Sequence, residues 1–215
     1  MESQIPNQIL YKIQEAQETT LLATVNEQDT GDLNEINGQP HRWVASKGAG
    51  TNSDVLSLED FVQMRLSFLK ANVPENGWIA IVDPMSEATL NYLAQKHVFD
   101  QRPQFNDILE GGFAQNHKFL YNIMGFDTYV SNRLPTVTET IDGTSITNGI
   151  VNIFASVGDD MVTPFMTAQR QPARVEGERN KDFQCDEYVA TARWGNGLQR
   201  KDSLGAVITS SEHYA

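Results

Sequence analysis

The histidines and the single cysteine are the residues whose types could do chemistry in this sequence. No two histidines stand at the spacing that places a metal-ligand pair on one helix. Cys185 has no cysteine or histidine two to four residues away, and its acidic neighbours disfavour the thiolate that a nucleophile needs. We therefore expect no metal site and no catalytic thiol. The four histidines are His41, His97, His117 and His213.

One segment has the order of a nucleotide-binding unit but lacks its glycines. Residues 78–96 are predicted to form a buried strand, a turn and a helix. Phosphate binding at such a turn requires glycines that let backbone amides approach the ligand. Here the turn is Asp83-Pro84, which places a carboxylate and a residue without an N–H at that position. No Gly-x-Ser-x-Gly motif occurs either, so we expect no catalytic residues and no cofactor.

The charged clusters favour contacts between proteins over catalysis. The acidic pair Asp159-Asp160 and the acidic group at 182–187 lack the spacing of a calcium-binding loop and are expected to be solvated. A basic stretch at 170–181 is interleaved with two glutamates, which indicates inter-subunit ion pairs or a solvated face. Its candidate inter-subunit contacts are Arg170, Arg174, Arg179 and Lys181.

Composition sets further bounds on the class of protein. The chain has 215 residues, of which 40% are hydrophobic, enough for a substantial core. No apolar run is long enough to span a bilayer and no secretory signal is evident, so we expect a soluble, intracellular product that binds no membrane. The net charge of −12 disfavours binding to nucleic acid phosphates. Residues 1–60 hold ten acidic and three basic residues, whereas residues 165–215 hold seven of each.

Periodicity predicts helices in the first half of the chain. A helix over 6–25 begins at Pro6 and repeats apolar residues at Ile9 and Ile13. Its β-branched end, 19–25, could instead open into a strand. A second helix over 58–71 follows a capping box at Ser57 and Asp60. The stretch between the helices, 26–57, is predicted to be a polar loop with a short strand at 42–46.

The second half is predicted to be mostly strand, which makes the chain α+β. Asp142-Gly143 between two β-branched runs predicts a tight hairpin. We expect turns at Asn148-Gly149 and at Gly195-Asn196-Gly197. The strands are predicted at 118–124, 126–131, 137–141, 144–147, 150–157, 188–194 and 204–209.

Three segments resemble the coat proteins of tailed bacteriophages. Residues 73–84 (VPENGWIAIVDP) are similar to that family's VPE-x-G segment, which leads into an apolar run. Residues 125–135 (GFDTYVSNRLP) resemble the strand that ends in SN-x-LP, and residues 186–211 resemble the closing strands. The resemblance spans about residues 55–211. Trp78 departs from it, because a basic residue is usual at that position.

The resemblance implies the Hong Kong 97-type phage coat fold, with a spine helix, a peripheral β-sheet and a mixed axial domain. Residues 1–57 would then hold the spine helix and a polar loop, and 58–160 mainly the axial domain. Residues 161–215 would be return strands that join the two domains. The implied function is a major capsid protein that assembles into the pentamers and hexamers of an icosahedral shell around phage DNA. It would be made in the host cytoplasm, bind scaffolding and portal proteins, and lack sequence-specific nucleic-acid binding.

The sequence alone leaves three other hypotheses on function open. The 78–96 unit could belong to an α/β enzyme that acts on a small substrate. The chain could instead be a decoration or neck protein of a phage, which would form rings or trimers without a closed shell. A cellular compartment of the same fold would hold enzyme cargo in place of a genome.

Overall fold

A computed structural model of the chain describes residues 4–30, 34–45, 54–90, 122–159 and 161–210. Helix α1 spans Gln4–Ala23, and a 3-10 helix, Thr24–Glu27, continues it. The alternative that residues 19–25 form a strand is therefore wrong. The threonine hydroxyls explain why: Thr19 donates to the Glu15 carbonyl and Thr20 to the Gln17 carbonyl, so the polar groups of both side chains are satisfied inside the helix.

Helix α2, Leu58–Lys70, begins at the predicted cap. The backbone N–H and the hydroxyl of Ser57 both donate to one carboxylate oxygen of Asp60, at 2.9 and 2.8 Å. The other oxygen accepts a hydrogen bond from the Trp43 indole at 2.9 Å, which ties the cap to the sheet. One face of α2 buries Phe61, Met64 and Phe68, so this helix forms one wall of the core.

A seven-stranded mixed sheet is the centre of the molecule. Its order is β3-β11-β8-β4-β6-β5, and β7 pairs with the N-terminal part of β8. The strands are β3 Arg42–Val44, β4 Trp78–Val82, β5 Asn122–Ile123, β6 Phe126–Val130, β7 Thr136–Ile141, β8 Thr144–Ser156 and β11 Leu204–Thr209. Two short strands, β1 Glu35–Ile36 and β2 Gln39–Pro40, form a small separate hairpin.

Both faces of the sheet are covered. On one face, Phe61 and Phe68 of α2 pack on Trp78, Phe126 and Phe154. The opposite face packs under the end of α1, in a cluster that contains Leu22, Val25, Val44, Ile153, Leu204 and Ile208. Strands buried on both faces read as continuous apolar runs, which is why the predictions for β4 and β11 match the structure.

The predicted turn at Asn148-Gly149 is wrong, because β8 runs through it as one strand of 13 residues. Asn148 has a positive φ of 51° and lies opposite a register shift in β7, so a β-bulge absorbs the conformation that suggested a turn. The hairpin at Asp142-Gly143 is confirmed, with φ values of 49° and 77°.

A long two-stranded ribbon stands apart from the sheet. It consists of β9, Phe165–Asn180, and β10, Cys185–Leu198. The predicted turn at 195–197 is wrong, because these residues pair with β9. Strand β9 was not predicted at all. Its sequence is polar on both faces, so it lacks the alternation of a half-buried strand, and its extended form depends on pairing with β10.

Two further predictions fall partly outside the described residues. Of the strand expected at 118–124, only β5 is described. Of the helix expected at 84–96, residues 84–90 are described and are helical. The Asp83 carboxylate accepts a hydrogen bond from the Met85 N–H at 2.8 Å, so Asp83 caps this helix.

Candidate inter-subunit surface

The ribbon has α1 on one face, and its hydrogen bonds to the helix are few. The Trp194 indole N–H and the Asn196 amide each donate to the Thr20 hydroxyl at 3.0 Å. The Leu198 backbone N–H donates to the Glu27 carboxylate at 3.3 Å. These bonds involve the C-terminal part of α1 and the 3-10 helix, so the ribbon is fastened mainly at the end nearest the sheet.

The N-terminal half of α1 packs loosely against the ribbon. An open apolar cleft of about 380 Å³ lies beside Ile5, Ile9, Ile13 and Trp194. None of these side chains is fully buried. A two-stranded ribbon of this length, about 50 Å at 3.3 Å per residue, gains little stability from one partly packed helix. The α1–ribbon unit therefore presents much uncovered surface.

The four predicted contact residues all belong to the ribbon and all are exposed. Arg170, Arg174 and Arg179 lie on β9, and Lys181 lies in the turn that follows. Arg174 pairs with Glu176 at 3.0 Å. Within the described part of the chain, the other three form no ion pair. The structure thus places the predicted residues on one element but brings no neutralising charge to most of them.

The side of the ribbon that faces away from α1, here called the outer face, follows from the strand register. Side chains alternate along a strand, so Val189, Thr191 and Arg193 point away from the helix that Trp194 contacts. Their partners across the ribbon include Glu176 and Arg174. Val189 is 58% exposed and Met166 is 53% exposed. The outer face therefore combines apolar, acidic and basic side chains.

Arg133 joins the resembling segment SNRLP to α1, a role that the sequence did not reveal. Its guanidinium pairs with the Glu18 carboxylate and donates to the Tyr11 hydroxyl at 3.0 Å. The Glu15 carboxylate lies 3.8 Å away. Two acidic residues three apart on a helix are one possible signal, because they present both carboxylates to one cation. Arg133 thus positions α1 against the loop that follows β6.

A buried ion pair fixes the other end of α1. Arg42 is fully buried, Glu139 is 8% exposed, and their charged groups lie 2.8 Å apart. A second guanidinium nitrogen donates to the Val25 carbonyl at 3.4 Å. The pair therefore links β3, β7 and the 3-10 helix, so it connects the sheet with the base of the α1–ribbon unit.

The remaining chemical candidates are dispersed. His41 is buried against Phe68, and its Nδ1 lies 3.1 Å from the Leu204 carbonyl. Burial lowers the pKa of His41 below its ordinary value, and the Leu204 carbonyl opposes part of this effect. Cys185 is exposed at the start of β10. Asp159 accepts a hydrogen bond from the Met161 N–H.

Within the described ranges, no group of three His, Cys, Asp or Glu residues could hold a metal ion. No helix among the same residues is long and apolar enough to cross a membrane. Asp160 and the histidines at 97, 117 and 213 lie outside the described residues. Among the features of the described structure, the exposed surface of the α1–ribbon unit is therefore the candidate functional site.

Comparison with solved structures identifies the fold. The chain superposes on the capsid protein in the structure titled "Capsid structure of the Cyanophage P-SCSP1u" with a TM-score of 0.62 and 16% identity, over 98% of this chain and 66% of that one. The mature capsid of bacteriophage PhiM1 gives a TM-score of 0.62 at 12% identity, over 98% and 65%. No protein-family model and no curated protein matches the sequence.

A third neighbour is an encapsulin. The SrpI encapsulin complex of Synechococcus elongatus PCC 7942 gives a TM-score of 0.56 at 13% identity, over 97% of this chain and 66% of that one. The fold is thus the α+β Hong Kong 97-type coat fold that the sequence motifs predicted. This chain spans just under two thirds of the length of these neighbours.

Proposed function

We propose that this chain is a major capsid protein that self-assembles into pentamers and hexamers of an icosahedral shell around phage DNA. The observation that carries the proposal is the coat fold, which is matched over 98% of the chain by two phage capsid proteins. The loosely packed α1–ribbon unit supports the proposal, because contacts with neighbouring copies would stabilise it. An acidic wall also suits a container whose lining must not adhere to DNA.

In this proposal α1 is the spine helix and the ribbon belongs with it to the peripheral domain. The sheet and α2 make up the axial domain, and β11 returns the chain to that sheet. Strand β3 pairs with β11 in the same sheet, so the proposed axial domain also includes this part of residues 1–57. Scaffolding and portal proteins are the proposed partners during assembly in the host cytoplasm.

Arg170, Arg174, Arg179 and Lys181 are proposed to meet acidic residues of a neighbouring copy. The acidic N-terminal part and the neutral C-terminal part of the chain favour such head-to-tail pairing. Contacts of this kind are screened by salt. The triple substitution Arg170→Glu, Arg174→Glu and Arg179→Glu is expected to reduce assembly and change its salt dependence. Charge-neutral substitutions to glutamine at the same positions are the matched control and are expected to have an intermediate effect.

The first experiment is negative-stain electron microscopy of native, sedimented material that contains this chain. Closed icosahedral shells are the expected result. Small discrete particles formed by the full-length protein would refute the shell and favour a ring-forming neck or decoration protein. A monomer whose melting temperature rises with a small ligand would instead favour the α/β enzyme.

A compartment for protein cargo is the second candidate, and the encapsulin likeness is the observation that favours it. The contents of purified shells separate the two functions. Nuclease-protected genomic DNA is expected for a phage capsid. Shells that contain a copurifying enzyme and no protected DNA would favour the compartment.

A further inference from the structure

The pairing of the two ribbon strands is interrupted part of the way along the ribbon. Between the pairs Thr191–Arg174 and Trp194–Gln169, the register shifts twice. Residues 169–174 of β9 therefore lie opposite the shorter stretch 191–194 of β10. Extra residues on one strand disrupt the ladder and bend the strand. On either side of this segment, here called the break, the strands pair residue for residue.

The sequence of the break explains why the ladder fails there. Pro172 has no backbone N–H, so it cannot donate to a partner strand, and proline within sheets is confined to edges and bulges. A side-chain hydrogen bond, from the Gln171 amide to the Thr191 hydroxyl at 3.1 Å, bridges the strands at this point. The break therefore couples the two parts of the ribbon less tightly than a regular ladder would.

Hydrogen bonds fasten the ribbon to the rest of the chain on one side of the break. The part next to the sheet, called the base, comprises residues 165–168 and 195–198. There the Asn196 amide donates to the Thr20 hydroxyl and the Leu198 N–H donates to Glu27. Trp194, at the edge of the break, also donates to Thr20. The base is thus fixed to α1 and to the 3-10 helix.

The part beyond the break, called the distal part, is held much more weakly. It comprises residues 175–180 and 185–190. Among the residues that the structure describes, no hydrogen bond or ion pair joins it to another element. None of its residues is fully buried, and its apolar residues on the α1 side, Val175, Tyr188 and Ala190, are half-buried. Few buried contacts and a solvent-exposed ladder are typical of segments that move.

We propose that the break is a hinge, about which the distal part of the ribbon turns while the base stays fixed to α1. A hinge needs a few residues that absorb the change in backbone angles. The unpaired residues of a double bulge can do so without the loss of further ladder hydrogen bonds. The distal strands keep their own regular pairing, so they would move together as one hairpin.

The hinge rests on the proposed function and gives the ribbon a role in it. Rings of five and rings of six place the neighbours of a chain at different angles. One sequence must fit both rings, so its inter-subunit surface has to change direction. Arg179 and Lys181 lie beyond the break. The hinge would therefore redirect these predicted contact residues without any change in the sheet.

Distances between two spin labels on the free subunit test the motion. Cys185 is exposed, so it is first replaced by Ser. One label is attached on α2 through Leu66→Cys. The second is attached beyond the break through Val189→Cys or, as the matched control, in the base through Met166→Cys; all three positions are exposed. The 66–189 distance distribution is expected to be at least twofold wider than the 66–166 distribution. Equal widths would overturn the hinge.

Two further variants separate a hinge from fraying at the tip of the ribbon. Gln171→Ala removes the side-chain hydrogen bond that bridges the break. Glu187→Ala removes the bond that its carboxylate accepts from the Asn180 amide, at 2.6 Å, near the tip. Gln171→Ala is expected to widen the 66–189 distribution further, and Glu187→Ala to leave it unchanged. Widening by Glu187→Ala and not by Gln171→Ala would show fraying and overturn the hinge.

A disulfide across the break tests the role of the hinge in assembly. In the Cys185→Ser chain, Gln171→Cys with Arg193→Cys places two cysteines on opposite residues inside the break. The matched control, Glu176→Cys with Val189→Cys, places them on opposite residues of the regular distal ladder. Oxidation is expected to reduce the yield of closed shells at least tenfold for the first pair only, and reduction should restore it. Equal yields from the two oxidised variants would overturn the role in assembly.

The hinge and the shell can fail separately. The spin-label distances are measured on the free subunit, so they decide the hinge even where the chain forms no shells. Shells together with equal label widths would overturn the hinge and leave the shell standing. A wider 66–189 distribution in a chain that forms no shells would support the hinge and overturn the shell.

Discussion

The seven-stranded sheet and the α1–ribbon unit gain their stability in different ways. Strands of the sheet are covered by α2 on one face and by the end of α1 on the other, so β11 is buried throughout and only Ile79 and Ile81 of β4 are partly exposed. The ribbon has one helix on one face, and Val189 and Met166 on its outer face are exposed. The sheet is therefore stable within one chain, whereas the ribbon has surface left for neighbours. Substitutions should separate folding from assembly along this division.

The largest effect is expected from Phe126→Ala in the sheet. The Phe126 ring lies 5.2 Å from both Trp78 and Phe154, measured between ring centres, and has no exposed surface. Removing a buried phenylalanine costs about 3–5 kcal/mol, because the cavity is not refilled. Urea denaturation of the free subunit measures the loss. Val189→Ala on the ribbon is the comparison and is expected to cost less than about 0.5 kcal/mol. Similar losses for the two variants would contradict the division.

The buried ion pair should give the next largest effect. Arg42→Ala leaves the Glu139 carboxylate buried without its charge partner, which costs about 3–5 kcal/mol in comparable cases. The double variant Arg42→Met, Glu139→Leu removes both charges and is expected to recover much of that loss. Chemical denaturation of the two variants measures the difference. A double variant no more stable than Arg42→Ala would show that the hydrogen bond to Val25, and not the charge pair, matters most.

The sequence predicted the sheet well and the ribbon poorly, and the cause is physical. Residues 78–82 and 204–209 are apolar because both of their faces are buried, so the strand signal is present in the residues themselves. Residues 165–180 contact mostly solvent and one partner strand. Their sequence therefore lacks the alternation of apolar and polar residues that would predict a strand. Gly195 and Gly197 looked like a turn, but pairing with Ala168 and Met166 holds them in the strand.

The same contrast explains which site residues the sequence could supply. The basic residues of β9 were visible as a charge pattern, although the strand that carries them was not. Arg133 was quoted only as part of a motif, because its partners Glu18 and Tyr11 are more than a hundred residues away in the chain. The exposure of Leu58 and Leu69 could not be predicted, because spacing along α2 does not distinguish them from the buried Phe61, Met64 and Phe68. The elements that pack against a helix decide which of its apolar side chains are covered.

Acid should weaken the sheet through His41. Burial lowers the folded-state pKa of His41 from its ordinary value of 6.5. Below pH about 6.5, His41 therefore binds a proton less readily in the folded protein than in the unfolded chain. Stability is therefore complete above pH about 6.5 and falls as the pH drops below it. Urea denaturation between pH 8 and pH 5 measures this, with His41→Gln as the comparison. The difference in unfolding free energy between the two proteins should shrink on acidification. A constant difference would show that His41 does not contribute to the pH dependence.

The smallest effect on global stability is expected from Arg133→Ala, because its ion pairs are partly exposed and such pairs contribute about 1 kcal/mol or less.

The local effect of Arg133→Ala on α1 should be larger. Arg133 holds the middle of α1 through Glu18 and Tyr11, whereas the ribbon bonds hold only the C-terminal part. Amide hydrogen exchange across residues 8–18 is therefore expected to quicken while exchange in β8 stays unchanged. Arg133→Lys keeps the charge but not the fork of donors, so it should fall between the two. Equal protection of α1 in all three proteins would mean that the apolar contacts of α1 with the ribbon, and not Arg133, position the helix.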